Sequence, residues 1–271
     1  AWMDALLSTS ALSKSFGATA ALQDVDFELL GGETHVLFGE NGAGKSTLVK
    51  ILAGVITPDA GEIRLRGRPI AITSPASARA HGIATVFQDF SVVSTISVLD
   101  NLFLGKEISC AGWLDRRQMA VRAHTIFEKL HIDIELKSSV ETLGRAQQQM
   151  VEISKALLDE ARVLILDEPT SSLTERESKH LFWVLEEFKR SGGGVVFISH
   201  RLDEVMQHGD RITVLRDGRK VRTLEQGRYD EGSLIRLLTG HDKGTIFPPR
   251  HRMSKDVFLR IDRLATGSGL Q

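Results

Sequence analysis

Leu22, Val25, Phe27 and Leu29 are spaced as on a half-buried strand, and Gly31-Gly32 closes that strand with a turn signal. Thr34-His35-Val36-Leu37-Phe38 is a short apolar run that ends at Gly39. A glycine-rich loop follows, then a helix-like stretch over residues 47–53, stopped by Gly54. Ile63-Arg64-Leu65 predicts another strand, with Gly67 and Pro69 as its turn, and residues 83–87 a further strand. From about residue 95 to 160 the period lengthens. Residues 97–104, 116–130 and 147–158 carry apolar side chains at helical spacing, and in the last Met150, Ile153, Leu157 and Leu158 are expected on one face. Two near-continuous apolar strands come next, at 162–166 and 195–198, as in a parallel sheet covered on both faces. A helix over 173–188 and the flexible turn Gly192-Gly193-Gly194 separate them. Asp217-Gly218 predicts a tight hairpin between 211–215 and 220–224, and Asp230 a cap for a last helix over 230–238.

Beyond Pro248-Pro249, read as a linker, Val257-Phe258-Leu259-Arg260-Ile261 begins a new strand. Gly269-Leu270-Gln271 faintly echoes Ala21-Leu22-Gln23. Either a second copy of the domain begins there or the stretch is an ordinary tail.

The chain has 271 residues, enough for one large domain or a domain with a subdomain. With 42% hydrophobic and 25% charged residues it is ordinary for a folded globular protein, which excludes a disordered or collagen-like chain. Thirty-four Lys and Arg against 35 Asp and Glu leave a net charge of −1, without the basic excess typical of nucleic-acid binders. Cys110 is the single cysteine, so no internal disulfide forms and a reducing compartment is the simplest expectation. No run approaches a membrane span, and the N-terminal region lacks the basic-then-apolar pattern of a secretory leader.

The chemistry starts at Gly39-Glu40-Asn41-Gly42-Ala43-Gly44-Lys45-Ser46, which fits the phosphate-binding pattern G-x-x-x-x-G-K-[ST] between a strand and a helix. Glycines there let backbone N–H groups turn toward phosphate oxygens, and the helix start adds a positive dipole end. Lys45 is placed to neutralise β- and γ-phosphates and the Ser46 hydroxyl to ligate Mg²⁺. Average residue frequencies give such a match by chance in about one chain in a hundred, before the strand–loop–helix context is required. Asp167-Glu168 follows an apolar strand. A carboxylate at that end of a parallel strand, beside the loop, can hold Mg²⁺ through water, and Glu168 can polarise an attacking water. The plain alternative is an acidic pair that caps a helix before Pro169. His200 ends the other apolar strand, where it can bond a γ-phosphate or simply be satisfied by local backbone. Gln88 ends the strand at 83–87 and is a candidate Mg²⁺ and water contact, or merely a polar terminus.

Taken in order, these features resemble the ATP-binding cassette ATPases: the loop at 39–47, Gln88, a signature-like segment Leu143-Gly144-Arg145-Ala146-Gln147, Asp167-Glu168-Pro169-Thr170, and Ile198-Ser199-His200. The resemblance covers about residues 6–240. It implies a P-loop α/β fold with a RecA-like parallel core, an antiparallel β portion near the N-terminus and an inserted helical subdomain. The expected division is 1–88 with 161–245 for the core and β portion, 89–160 for the helices, and 246–271 for a linker and the start of a second cassette. It further implies that Phe16, in Lys14-Ser15-Phe16-Gly17, stacks on adenine in place of the usual tyrosine. Thr47 joins the phosphate contacts in the same way.

Gln147-Gln148-Gln149-Met150-Val151-Glu152-Ile153 and Leu215-Arg216-Asp217-Gly218 narrow the resemblance to the first half of sugar importers with two fused cassettes. That implies ATP and Mg²⁺ as ligands. It also implies a membrane permease docked on the helical subdomain, an indirect sugar-binding protein and a peripheral place on the cytoplasmic face of the membrane. The family signature is usually Leu-Ser-Gly-Gly-Gln; here Gly144 replaces the serine and Ala146 a glycine. Thr174 stands where an acidic residue usually closes the loop after the second carboxylate motif. These departures imply an asymmetric pair of nucleotide sites. The competing expectations are a cassette ATPase acting on nucleic acid or ribosomes, which would need a basic face or a coiled-coil insertion, and a nucleotide-binding module without turnover.

Overall fold

The computed structural model describes residues 5–87, 91–110 and 112–239. Gln88, Pro248-Pro249 and the stretch from Val257 lie outside the described residues. In chain order the elements are β1 (Ala5–Phe16), β2 (Thr19–Leu30), β3 (Thr34–Phe38), α1 (Lys45–Leu52), β4 (Ala60–Leu65), β5 (Arg68–Ile70), α2 (Pro75–Ala80) and β6 (Ile83–Val86). Then come α3 (Val98–Phe103), β7 (Ser109–Cys110), β8 (Trp113–Leu114), α4 (Arg116–Lys129), α5 (Arg145–Leu158), β9 (Val163–Asp167), α6 (Glu175–Arg190) and β10 (Gly194–Ile198). Last are α7 (Leu202–His208), β11 (Arg211–Arg216), β12 (Arg219–Glu225) and α8 (Glu231–Thr239).

Six strands form the main sheet in the order β12-β11-β3-β10-β9-β6. All pairs are parallel except the β11–β12 hairpin. Because strand side chains alternate between faces, a sheet covered on both sides needs continuous apolar strands. Val163 and Ile165 pack with α1 and the N-terminal strands. Leu164 and Leu166 pack with α5, α6 and α7. The second sheet is antiparallel, β2-β1-β4-β5. The α/β expectation holds, with its antiparallel portion near the N-terminus. A third cluster gathers α3, α4 and one side of α5 around Phe103, Met119, Phe127 and Val151.

Some elements depart from their sequence patterns for local reasons. β1 has no clean alternation because Ala11 sits at φ +48° and its ladder to β2 shifts register there, so its polar residues gave no strand signal. A second bulge, at Asp24 (φ +50°), lets Leu22 and Val25 face the core although they are three apart. Pro69 is not in a turn. The turn is Arg66-Gly67, both at positive φ, and Pro69 lies in β5 at the sheet edge, where no ladder donor is required of it. Leu158 does not share the face of Met150 and Ile153. Seven residues from Val151, it lies on that residue's side of α5 and packs into the third cluster, so α5 buries two faces. α7 and the small β7–β8 hairpin had no sequence counterpart. Asp217-Gly218 makes the expected turn, at φ +51° and +72°, and Asp230 Oδ1 caps α8 by accepting from the Ser233 N–H at 2.7 Å.

His35 is fully buried on β3, its Nε2 2.7 Å from Thr213 Oγ1 and its ring 4.6 Å from that of Phe27. Burial pulls its pKa below the usual value, against the raising influence of Glu33. Protonation then favours the unfolded chain, which binds a proton that the folded chain refuses. Unfolding free energy is expected to fall as pH drops below about 6.5, by up to about 1.4 kcal/mol per pH unit until the ring is forced to charge. Urea titrations of wild type and His35→Gln between pH 5 and 8 test this. The variant should lose that part of the slope.

Candidate nucleotide site

Parallel strands aim their C-terminal ends at one edge of the sheet, and β3, β9 and β10 are adjacent there. The candidate site residues stand at those ends or just after them. After β3 the chain turns through the loop into α1, whose first turn has no side-chain cap and no acidic residue. The amides of that turn therefore point outward without intrahelical partners, at the positive end of the helix dipole. Gly44 is held at φ +102°, and a Cβ there would sit 2.7 Å from the Ala21 carbonyl oxygen of β2. The loop can thus close only with glycine at that position.

Lys45 is nearly buried; its Nζ donates to the carbonyls of Gly39 (2.7 Å) and Glu40 (3.0 Å). Burial lowers its pKa, while Glu168 and Asp167 oppose the change, so both carboxylates act on this ammonium. Asp167 is the last residue of β9, and its carboxyl is pushed up, first by burial and then by neighbouring Glu168. Neither acid caps a helix: α6 starts at Glu175 and is capped by Thr174, which is the local role of that departure from the family pattern.

Glu168 has φ +48°, unusual for a side chain with a Cβ, and its N–H donates to the Ile198 carbonyl at 3.0 Å. Its Oε1 lies 2.9 Å from His200 Nδ1. The carboxylate can only accept, so Nδ1 carries the proton. His200 is therefore paired with Glu168 rather than with local backbone. Ser46 and Asn41 are exposed, Thr47 is half-buried, and Gly39 and Ala43 are buried in the base of the loop. Phe16, half exposed, ends β1 on the hairpin whose second strand passes beside Gly44, with the Lys14 ammonium 5.7 Å from its ring.

The structure thus brings together the loop, Asp167, Glu168 and His200. The signature-like segment lies elsewhere, in the helical cluster. Leu143 packs there, Gly144 precedes α5, and Arg145, Ala146 and Gln147 form its first turn. Gln147 Oε1 accepts from the Gly144 N–H at 3.1 Å. Sequence reasoning missed Glu204, on α7, which ties together the segments after β9 and β10. The spacing of Leu202, Val205 and Met206 was the available signal for that helix.

A profile of the ABC transporter family matches residues 22–171. The chain belongs to that family. The cassette is 46% identical over 265 residues to the ribose import ATP-binding protein RbsA 2 of Burkholderia cenocepacia (strain HI2424), a match covering 97% of this chain and 52% of that protein. It is 47% identical over 260 residues to the ribose import ATP-binding protein RbsA 1 of Rubrobacter xylanophilus, covering 96% and 52%. The cassette spans about half the length of these curated relatives. In backbone it is similar to the ADP conformation of MJ1267, an ATP-binding cassette of an ABC transporter. There the TM-score is 0.73 at 26% identity, over 86% of this chain and 94% of that one. The P-loop fold class holds on this likeness as well.

Proposed function

We propose that this chain is the first cassette of a fused two-cassette ATPase that hydrolyses ATP to drive uptake of a small sugar through a separate membrane permease. The observation that carries the reading is the convergence of Lys45, Asp167, Glu168 and His200 around one helix start. The ribose-import names of relatives twice this chain's length support the sugar and the fused partner. Residues 1–88 and 161–245 form the nucleotide-binding core with its β portion. Residues 89–160 form the helical subdomain that docks the permease, and 246–271 lead into the second cassette. Attachment to the cytoplasmic face of the membrane comes through the permease. Among the described residues no helix is long and apolar enough to cross a bilayer.

In this reading the α1 amides from Lys45 to Thr47 and the backbone at Gly39, Asn41, Gly42, Ala43 and Gly44 cradle the phosphates, Lys45 neutralises them, and Phe16 stacks on adenine. The donor set fits Mg²⁺. Asp167 sits where burial and Glu168 leave its charge undercompensated, and Ser46 presents an exposed hydroxyl one residue past Lys45. Those two residues, with Gln88, would hold the ion, which supplies positive charge to the β- and γ-phosphate oxygens. Glu168 accepts a proton from the attacking water. His200 turns its N–H from Glu168 to the γ-phosphate. Leu143, Gly144, Arg145, Ala146 and Gln147 cover the nucleotide of the opposing cassette, with no hydroxyl at Gly144 and an extra methyl at Ala146.

ATP hydrolysis by this chain, alone and with permease-bearing membranes in the assembled transporter, tests the reading. Alone it is expected to bind ATP and turn it over far below the 1–10³ s⁻¹ of typical enzymes. Gly144→Ser with Ala146→Gly should raise that rate in a manner that grows with protein concentration, since the active form closes as a pair. Assembly with permease should stimulate it. Fast hydrolysis by the unmodified chain would sink the asymmetric-pair reading. Binding without turnover in the assembled transporter would favour a regulatory module.

A further inference from the structure

We propose that Glu204 is a positioning residue for hydrolysis. It locks the segments after β9 and β10 to each other and so sets the Glu168–His200 pair. The inference deepens the functional reading above and rests on it.

Glu204 lies on α7 and is only 7% exposed. One oxygen, Oε2, accepts from Thr170 Oγ1 at 2.8 Å and from Ser199 Oγ at 2.9 Å. The other, Oε1, pairs with Arg201 Nη1 at 2.7 Å. Ser199 Oγ also accepts from the Arg201 N–H at 3.0 Å. A carboxylate taken out of water is costly unless its oxygens are met by donors, and here three donors meet it.

The placement of those donors suggests more than local satisfaction. Thr170 is two residues after Glu168, and Ser199 is one residue before His200. Between the two segments the backbone makes the bond from the Glu168 N–H to Ile198 O. The β9–β10 ladder ends at Asp167 and Ile198 and that bond extends it by one residue, so a side-chain link one or two residues further along fixes how the two backbones run on beyond the sheet. Glu168 also holds a left-handed backbone conformation, which persists only where its surroundings over-determine it. The Thr170–Glu204–Ser199 bridge supplies that constraint. It leaves the Glu168 and His200 side chains free to turn to water and phosphate while their backbones stay in place.

The test uses Glu204→Met, Glu204→Gln and Thr170→Val in the assembled transporter. Methionine keeps the shape and removes both acceptors. It should lower kcat by at least about tenfold, as expected when reacting groups lose their mutual placement, with ATP Kd within about twofold of wild type. Glutamine keeps one oxygen able to accept from both hydroxyls, and half-exposed Arg201 falls back on water. This variant should therefore stay within about threefold of the wild-type kcat. Thr170→Val removes one link and should lie between them.

In single-turnover experiments, Glu204→Met added to Glu168→Gln should cost clearly less rate than it costs alone, because part of its effect passes through the carboxylate already removed. Wild-type kcat in Glu204→Met overturns the inference. So does a loss that multiplies with that of Glu168→Gln, or a parallel fall in ATP affinity. If Glu204→Met does not fold, unchanged kcat in Thr170→Val overturns it instead. A wild-type transporter that hydrolyses no ATP overturns the functional reading itself.

Discussion

Glu168→Gln in the assembled transporter is expected to bind Mg-ATP with wild-type affinity and to lose 10²–10⁴-fold in kcat, the contribution of a positioned general base. Substitution preserves the fold for a visible reason. The glutamine oxygen can still accept from His200 Nδ1–H at the observed 2.9 Å, and the backbone bond to Ile198 is untouched. What disappears is the ability to take a proton from water. The new side chain also removes one of the two negative charges beside Lys45, so phosphate binding should be no weaker. Steady-state hydrolysis and equilibrium ATP binding on the same preparation separate the two effects. A variant that hydrolyses at the wild-type rate would place the base elsewhere. One that loses affinity and rate together would make Glu168 a binding residue.

Lys45→Ala is expected to weaken Mg-ATP binding by at least about tenfold, roughly 1.4 kcal/mol or more. The ammonium does two jobs that alanine cannot do. It ties the Gly39 and Glu40 carbonyls from inside the loop, and it is a cation beside Asp167 and Glu168. Without it a phosphate chain would meet Asp167 and Glu168 with the cation beside them removed. Lys45→Arg keeps the charge on a larger planar group and should recover only part of the affinity, since the nearly buried site fits a compact ammonium. Calorimetric titration with ATP and Mg²⁺ reads both variants. Equal affinities for wild type and Lys45→Ala would mean that the loop is not the phosphate site.

Much of the fold could be read along the chain because its signals are local. An apolar run such as Val195-Val196-Phe197-Ile198 has one stable home, the interior of a sheet covered on both faces, and it fills β10. The G-x-x-x-x-G-K-S spacing needs a strand before it and a helix after it, and β3 and α1 supply them. The Asp217-Gly218 turn and the Asp230 cap depend on two or three neighbouring residues. The sequence likewise isolated Lys45, Asp167, Glu168 and His200, since each stands where a strand ends or a helix begins.

What stayed hidden depends on partners distant in sequence. β1 exists as a strand because β2 and β4 pair with it on both sides and absorb its bulges, although its own polar residues carry no periodic signal. α5 buries two faces because one cluster lies on the sheet side and another on the side of α3 and α4, and one helical period cannot announce two burial surfaces. Glu204 is one acidic residue among 35 until α7 docks and brings it to Thr170, 34 positions away, and to Ser199. By itself, then, the sequence singled out Lys45, Asp167, Glu168 and His200 as the candidate phosphate-site residues and the strands that carry them, because loop spacing and apolar runs are properties of short segments. The order β12-β11-β3-β10-β9-β6, the pairing of Glu168 with His200 and the brace behind that pair were decided only in the tertiary structure. Hydrogen bonds and packing between segments more than thirty residues apart leave no periodic trace in the chain that makes them.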